Sequence, residues 1–160
     1  MKRMTVVLLL LCAGTLFAQE RGAGDLWLCP GAEASMYSTV GMAFGGGISL
    51  GYSRGATIGF KIAYFVDTDG LSALELNFLF RWYFLKSMRY SGPFIQFLGG
   101  PIFAAPDNGA ISVPAEYGTI SAGISAGWRF LLGEKWFVEP AIRAGYPYLI
   151  GAGVSAGVHF

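Results

Sequence analysis

Seven charged residues lie within apolar, alternating segments of the chain, where each could form an ion pair or help to move an ion or a proton. They are Glu33, Lys61, Glu75, Arg81, Arg129, Glu139 and Arg143. Enclosing a charge in apolar surroundings is costly unless an opposite charge pairs with it, and such residues often mark a pathway. Two interpretations follow: an ion or proton path, or a plug of ion pairs that fills an enclosed space.

Catalytic chemistry has little support in this sequence. His159 is the only histidine, and it stands at the chain end, away from any serine and acid that could complete a triad. Beyond Glu20 the only cysteine is Cys29, and one cysteine with one histidine does not make a metal site of the usual ligand type. We therefore predict no catalytic residue, no cofactor and no metal. A lipid-modifying enzyme is the least favoured alternative.

The first residues have the layout of a secretory signal peptide. A basic start at Lys2 and Arg3 precedes an apolar run over 5–17, and the small residue Ala18 follows. The run is shorter than the ~20 residues of a spanning helix. We therefore predict a signal peptide at 1–18 and one domain at 19–160. A lipoprotein anchored through Cys12 is the rival interpretation, although Leu11 is bulky for the position before a lipidated cysteine.

The composition differs from that of a soluble domain. Charged residues make up 13% of the chain against a usual ~25%, while aromatic residues reach 16%. Without Lys2 and Arg3, nine Lys and Arg face ten Asp and Glu, so the charge balance favours no nucleic-acid partner. No apolar run after the signal approaches the ~18 residues of a membrane helix. The apolar residues are instead spread through segments that alternate.

Eight segments alternate between bulky apolar and small or polar residues, with turn residues between them. A period of two is typical of β-strands. The predicted strands cover 27–38, 42–53, 56–66, 71–84, 93–104, 117–132, 135–146 and 149–160. Most have 11 to 16 residues. Strands of soluble proteins average about 5 or 6 residues, whereas a tilted membrane strand needs roughly 9–11.

The two faces of each predicted strand differ in size. In strand 71–84, Phe78 and Phe80 share one face, and Glu75 and Arg81 share the other. A soluble barrel such as a lipocalin would turn the bulky face inward, but eight strands enclose barely enough room for side chains. We therefore predict an all-β fold, an eight-stranded antiparallel up-and-down transmembrane barrel with its bulky face toward lipid. Five aromatic residues near one rim form a predicted interfacial girdle: Trp82, Phe84, Trp128, Phe130 and Trp136.

Turn lengths predict which charged residues meet in the lumen. A three-residue turn at 133–135 would put Arg129 opposite Glu139, and a three-residue turn at 67–69 would put Lys61 opposite Glu75. Opposite charges on neighbouring strands stabilise a sheet. Glu33 would face Gly47 and have space to reach Arg143. In a barrel of this size we favour the ion-paired plug over the ion or proton path.

The whole segment 19–160 resembles the small eight-stranded outer-membrane barrels, the group of the OmpA membrane domain, OmpX and the opacity-type adhesins. The resemblance rests on the signal peptide, the strand count, the alternation and a last strand that ends in Phe160. It implies that Phe160 is read by the barrel-assembly machinery and that both chain ends are periplasmic. The connections near 39–41, 67–70, 105–116 and 147 would then be external. Unlike opacity-type adhesins, most of these are short.

The resulting functional prediction is a monomeric outer-membrane barrel with a structural or adhesin-like role. Its predicted partners are the lipid bilayer, the assembly machinery and an extracellular ligand at the 105–116 loop. The first alternative is a small channel or porin for ions or small solutes.

Overall fold

The computed structural model describes residues 25–37, 41–54, 56–68, 70–85, 91–106 and 117–160. The predicted signal peptide, Cys12, and most of the 105–116 loop lie outside the described residues. The strands are β1 Asp25–Tyr37, β2 Gly41–Arg54, β3 Ala56–Asp67, β4 Leu71–Tyr83, β5 Gly92–Pro106, β6 Tyr117–Leu132, β7 Trp136–Tyr146 and β8 Tyr148–His159. Among the described residues, no helix is long and apolar enough to cross a bilayer.

The eight strands close into a single antiparallel barrel. Each strand pairs with its neighbours in the chain, and β8 returns to pair with β1. Closure satisfies the backbone groups that an open sheet would expose at its edges. The predicted fold class is therefore confirmed, and the predicted strand ends differ from the observed ones by at most two residues.

Exposure alternates along the strands in the predicted sense. In β4, Phe78 is 49% exposed on the outer face, whereas Asn77 and Leu79 beside it are 2% and 0% exposed. The outer face of β3 repeats the pattern with Phe60 at 63%. The barrel therefore presents bulky apolar side chains outward, as a lipid environment requires.

Two apolar layers close the interior at different heights. We call the barrel end that carries Asp25 and Phe160 the terminal end, and the opposite end the loop end. The layer nearer the terminal end contains Trp27, Cys29, Leu79, Leu98 and Phe137. The layer nearer the loop end contains Tyr37, Ala43, Ala63, Phe65, Ile102 and Tyr148. The lumen thus holds more aromatic side chains than an inner face of small and polar residues would provide.

Small residues make that bulk possible. A Cβ atom added at Gly51 would collide with the indole of Trp27, and one added at Gly157 would collide with the ring of Phe137. Glycine in a strand often marks such a close approach. The small residues of the inner face therefore accommodate aromatic rings as well as long polar side chains.

A register shift between β1 and β8 determines which side chain at the start of β8 points into the lumen. Met36 pairs with Ile150, but the next residue, Tyr37, pairs with Tyr148. A bulge of this kind adds one residue to one strand and turns its side chains over. Tyr148 is consequently fully buried and Leu149 is 56% exposed. Strict alternation along 149–160 would put Leu149 on the inner face with Gly151, and the bulge makes that placement wrong.

Two turns explain which register predictions succeed. Leu132 pairs with Trp136 across the predicted three-residue turn, where Gly133 has a φ of 80°. The β3–β4 connection is longer, because Val66 pairs with Ser72. There the Leu71 N–H donates to Asp67 Oδ1 at 2.6 Å, which favours the wider turn.

Candidate functional site

All seven charged residues predicted for the lumen point into it. Six are buried, and Glu33 retains 21% of its side-chain exposure. Their strands place them at two heights with a gap between. We call Arg81, Arg129 and Glu139 the terminal cluster, and Glu33, Lys61, Glu75 and Arg143 the loop cluster.

In the terminal cluster, one carboxylate serves two guanidinium groups. Arg81 donates through Nη1 to Glu139 Oε1 at 2.6 Å and through Nη2 to Oε2 at 3.2 Å. Arg129 Nε donates to the same Oε1, so the predicted Arg129–Glu139 neighbour pair is present. Arg81 also donates to Gln96 Oε1 at 2.8 Å and to the Tyr83 hydroxyl at 3.0 Å. Charge-assisted, forked bonds of this type are strong and directional.

Aromatic rings enclose the terminal cluster. The guanidinium carbon of Arg129 lies 3.8 Å from the ring centroid of Phe137 and 4.7 Å from that of Trp27. The guanidinium carbon of Arg81 lies 4.1 Å from the ring centroid of Phe94. A cation over an aromatic face is attracted to it, and the attraction increases when water is excluded. Rings and arginines together fill this level of the barrel.

The loop cluster is centred on Glu75. Arg143 donates to the two oxygens of Glu75 at 2.9 and 3.3 Å, and the Tyr37 hydroxyl donates to Oε1 at 2.6 Å. Asn77 Nδ2 adds a bond of 3.2 Å. Arg143 also donates to Ser35 Oγ at 2.9 and 3.1 Å. The Glu75 carboxylate, which is fully buried, is thereby held by three side chains.

The predicted pairing of Lys61 with Glu75 is wrong. The wider β3–β4 turn puts Lys61 opposite Asn77, and Lys61 donates instead to Glu33. Glu33 lies opposite Gly45 rather than the predicted Gly47. Its Oε2 is 3.5 Å from Arg143 Nε, so the expected approach to Arg143 is present.

A polar cavity of about 50 Å³ separates the two clusters. The charged and amide side chains in its wall are Glu33, Lys61, Arg81, Gln96, Glu139 and Arg143. A cavity of this size and polarity can hold a few water molecules or a small ion. The lumen therefore consists of two ion-paired levels with a polar compartment between them.

Two large side chains of the lumen were not predicted to lie there. They are Trp27 and Tyr37, on the inner face of β1. Position parity could have found them, since each occupies the same face as a charged or small residue. Gln96 and Ser121 lie on the inner faces of β5 and β6, as alternation predicts, and Ser121 donates to Asn77 Oδ1 at 2.6 Å.

The described residues contain no evident catalytic arrangement. Cys29 is buried with its Sγ 4.0 Å from Glu139 Oε2, and His159 Nε2 lies 3.3 Å from Arg129 Nη1. Within the described ranges, no three His, Cys, Asp or Glu side chains converge as metal ligands.

The predicted girdle residues all lie on the outer face at the terminal end. Their exposures run from 42% for Trp128 to 62% for Trp136, and the rings of Trp128 and Phe130 stack at 5.9 Å. Phe160, 41% exposed, is tied to β1 because its N–H donates to Leu26 O at 2.9 Å.

Solved structures share this architecture. Neisserial surface protein A (NspA) matches with a TM-score of 0.65 and 16% sequence identity, covering 87% of this chain and 98% of that chain. The N-terminal β-barrel domain of Pseudomonas aeruginosa OprF matches with a TM-score of 0.55 and 13% identity, covering 88% of this chain and all of that chain, 100%. A de novo designed barrel, TMB2.3, matches with a TM-score of 0.51 and 13% identity over 89% and 98% of the two chains. No family model and no curated protein matches the sequence.

These likenesses define a structural class. The chain has the fold of the small eight-stranded outer-membrane barrels, as the sequence resemblance implied.

Proposed function

We propose that this chain is an integral protein of a bacterial outer membrane with a structural or adhesin-like role, and that ion pairs plug its lumen. The observation that carries the proposal is the presence of two ion-paired clusters at successive heights. Glu139 is 3% exposed and Glu75 is 0% exposed, and aromatic rings pack against the arginines of both clusters. Eight strands leave little interior space beyond that filled by side chains.

The orientation that we propose places both ends of the chain, and with them the terminal end of the barrel, in the periplasm and the 105–116 loop outside. In this arrangement the loop is the natural contact for an extracellular ligand, since long loops of such barrels are external. The last strand, β8, together with Phe160 directly after it, would be bound by the assembly machinery during insertion. We propose that the folded barrel works as a monomer.

A small channel for ions or small solutes is the second candidate. The polar cavity of about 50 Å³ favours it, because polar, hydratable space is what a conducting path needs. Conduction would still require both clusters to open. We therefore favour the plugged barrel.

Conductance across planar bilayers separates the two candidates. We expect the unmodified protein to show at most small, flickering currents. An outward-facing variant, Phe60→Ala, serves as the control and should behave alike. A steady open channel in the unmodified protein would exclude the plug and favour the channel.

Surface labelling tests the orientation. An epitope inserted in the 105–116 loop should bind antibody on intact cells. The same epitope inserted at the 133–135 turn should bind only after the outer membrane is permeabilised. The opposite pattern would contradict the proposed orientation.

A further inference from the structure

We propose that the cavity between the two clusters is a binding site for a small monovalent anion such as chloride. The first observation is the charge of the lumen. Within its buried length the described chain carries four cationic side chains and three carboxylates: Lys61, Arg81, Arg129 and Arg143 against Glu33, Glu75 and Glu139. The inner-face aspartates Asp25 and Asp67 lie at the strand ends and do not line the cavity.

The wall of the cavity repeats this imbalance. It includes the cations Lys61, Arg81 and Arg143 but only the carboxylates Glu33 and Glu139. Glu139 is already shared by two arginines. An uncompensated positive charge inside a membrane protein is costly, so an anion bound here would stabilise the folded barrel.

Donor groups near the cavity outnumber their acceptors. An ammonium group has three N–H donors, and Lys61, 7% exposed, has Glu33 as its hydrogen-bond acceptor. Arg129, which shares Glu139 with Arg81 but does not itself line the cavity, has its Nη2 buried without a hydrogen-bond acceptor. Glu33 Oε2 also lacks a hydrogen bond, but Arg143 Nε faces it at 3.5 Å. The surplus is therefore one of donors and positive charge.

Size limits the ligand. About 50 Å³ holds a monatomic ion with a water or two, and the hydroxyl of Ser49 in the wall can donate to it. Chloride and bromide fit these conditions. Gluconate, which carries the same charge on a much larger body, does not.

Unfolding of the detergent-solubilised protein tests the site. The transition is measured in sodium chloride, sodium bromide and sodium gluconate at equal ionic strength. A halide at about a hundred times its Kd should shift the folding equilibrium roughly 100-fold, with saturation. Equal stability in halide and gluconate would overturn the proposal.

Variants at Gln96 provide a matched pair, since its side chain lies in the cavity wall and accepts from Arg81. Gln96→Glu adds the missing negative charge and should abolish the halide response, whereas Gln96→Met should retain it. Should Gln96→Glu fail to fold, Lys61→Met replaces it and should also lose the response. A halide response preserved in these charge-altering variants would place the ion elsewhere and contradict the site.

Crystals grown with bromide should show its anomalous peak between Lys61 and Arg81, and a peak only outside the lumen would count against the site.

Discussion

Glu139 on β7 accepts a hydrogen bond of 2.6 Å from Arg81 on β4, a strand that is not its neighbour in the barrel. Nearer the loop end the polarity reverses, because Arg143 on β7 donates to Glu75 on β4 at 2.9 Å. The same two strands are thus joined across the lumen at two heights by ion pairs of opposite direction. Such cross-links stabilise the barrel only while both partners are present.

Removing Glu139 should leave two buried arginines without their shared carboxylate. Breaking a buried pair costs about 3–5 kcal/mol, so Glu139→Ala should destabilise the barrel by an amount of this order. The double change Glu139→Ala with Arg129→Ala should cost less than the single change, but recovery should be partial because Arg81 remains unpaired. Urea titrations in lipid vesicles measure these free energies. Glu134→Ala in the exposed β6–β7 turn is the control, and equal stability of Glu139→Ala and this control would refute the argument.

Because the indole of Trp27 packs directly against Gly51, replacing this glycine by alanine should destabilise the folded barrel. Gly51→Ala puts a methyl group into the indole, and overpacking of this kind costs about 1–3 kcal/mol. Gly99→Ala is the matched control, since its added Cβ would have Ser121 O at 3.7 Å as its nearest neighbour. The same titrations compare the two. Similar costs at Gly51 and Gly99 would mean that strand propensity, and not the close approach, sets the effect.

A charged side chain on the outer face should destabilise the folded barrel. Phe78, which packs edge-on against Phe60 with centroids 5.5 Å apart, lies on the apolar surface of β4. Phe78→Arg should cost about 2–4 kcal/mol if that position is near the bilayer midplane. Phe78→Leu, which loses only the aromatic pair, should cost about 1 kcal/mol. Folding titrations in lipid vesicles measure the free energy of unfolding of both variants. Equal losses for Phe78→Arg and Phe78→Leu would contradict a lipid-facing Phe78.

Deleting Phe160 should reduce assembly of the barrel in cells while leaving the stability of the folded protein nearly unchanged. The residue contributes one backbone hydrogen bond to Leu26 and is partly exposed, so refolding of the purified truncated protein should change little. Insertion in cells should fall sharply if the assembly machinery reads the terminal aromatic. Phe160→Tyr should insert normally. Quantitative blots of outer-membrane fractions check this, and normal levels of the truncated chain would rule out the assembly role.

The sequence by itself determined the class of fold and the sense of its faces. Alternation along long strands leaves only one arrangement in which residues such as Phe78 meet lipid and residues such as Glu75 lie inside. It also determined the Arg129–Glu139 pair, because a short turn containing Gly133 sets the register of the two strands that it joins.

The tertiary structure decided which residues meet across the lumen. Lys61 pairs with Glu33, because Asp67 and Leu71 widen a turn whose length the residue types alone do not specify. Tyr148 enters the lumen because of a bulge at the seam that closes the barrel. Contacts such as Arg81 with Glu139 join strands that are not neighbours, so they depend on the stagger of the whole closed barrel, and no local pattern encodes that stagger.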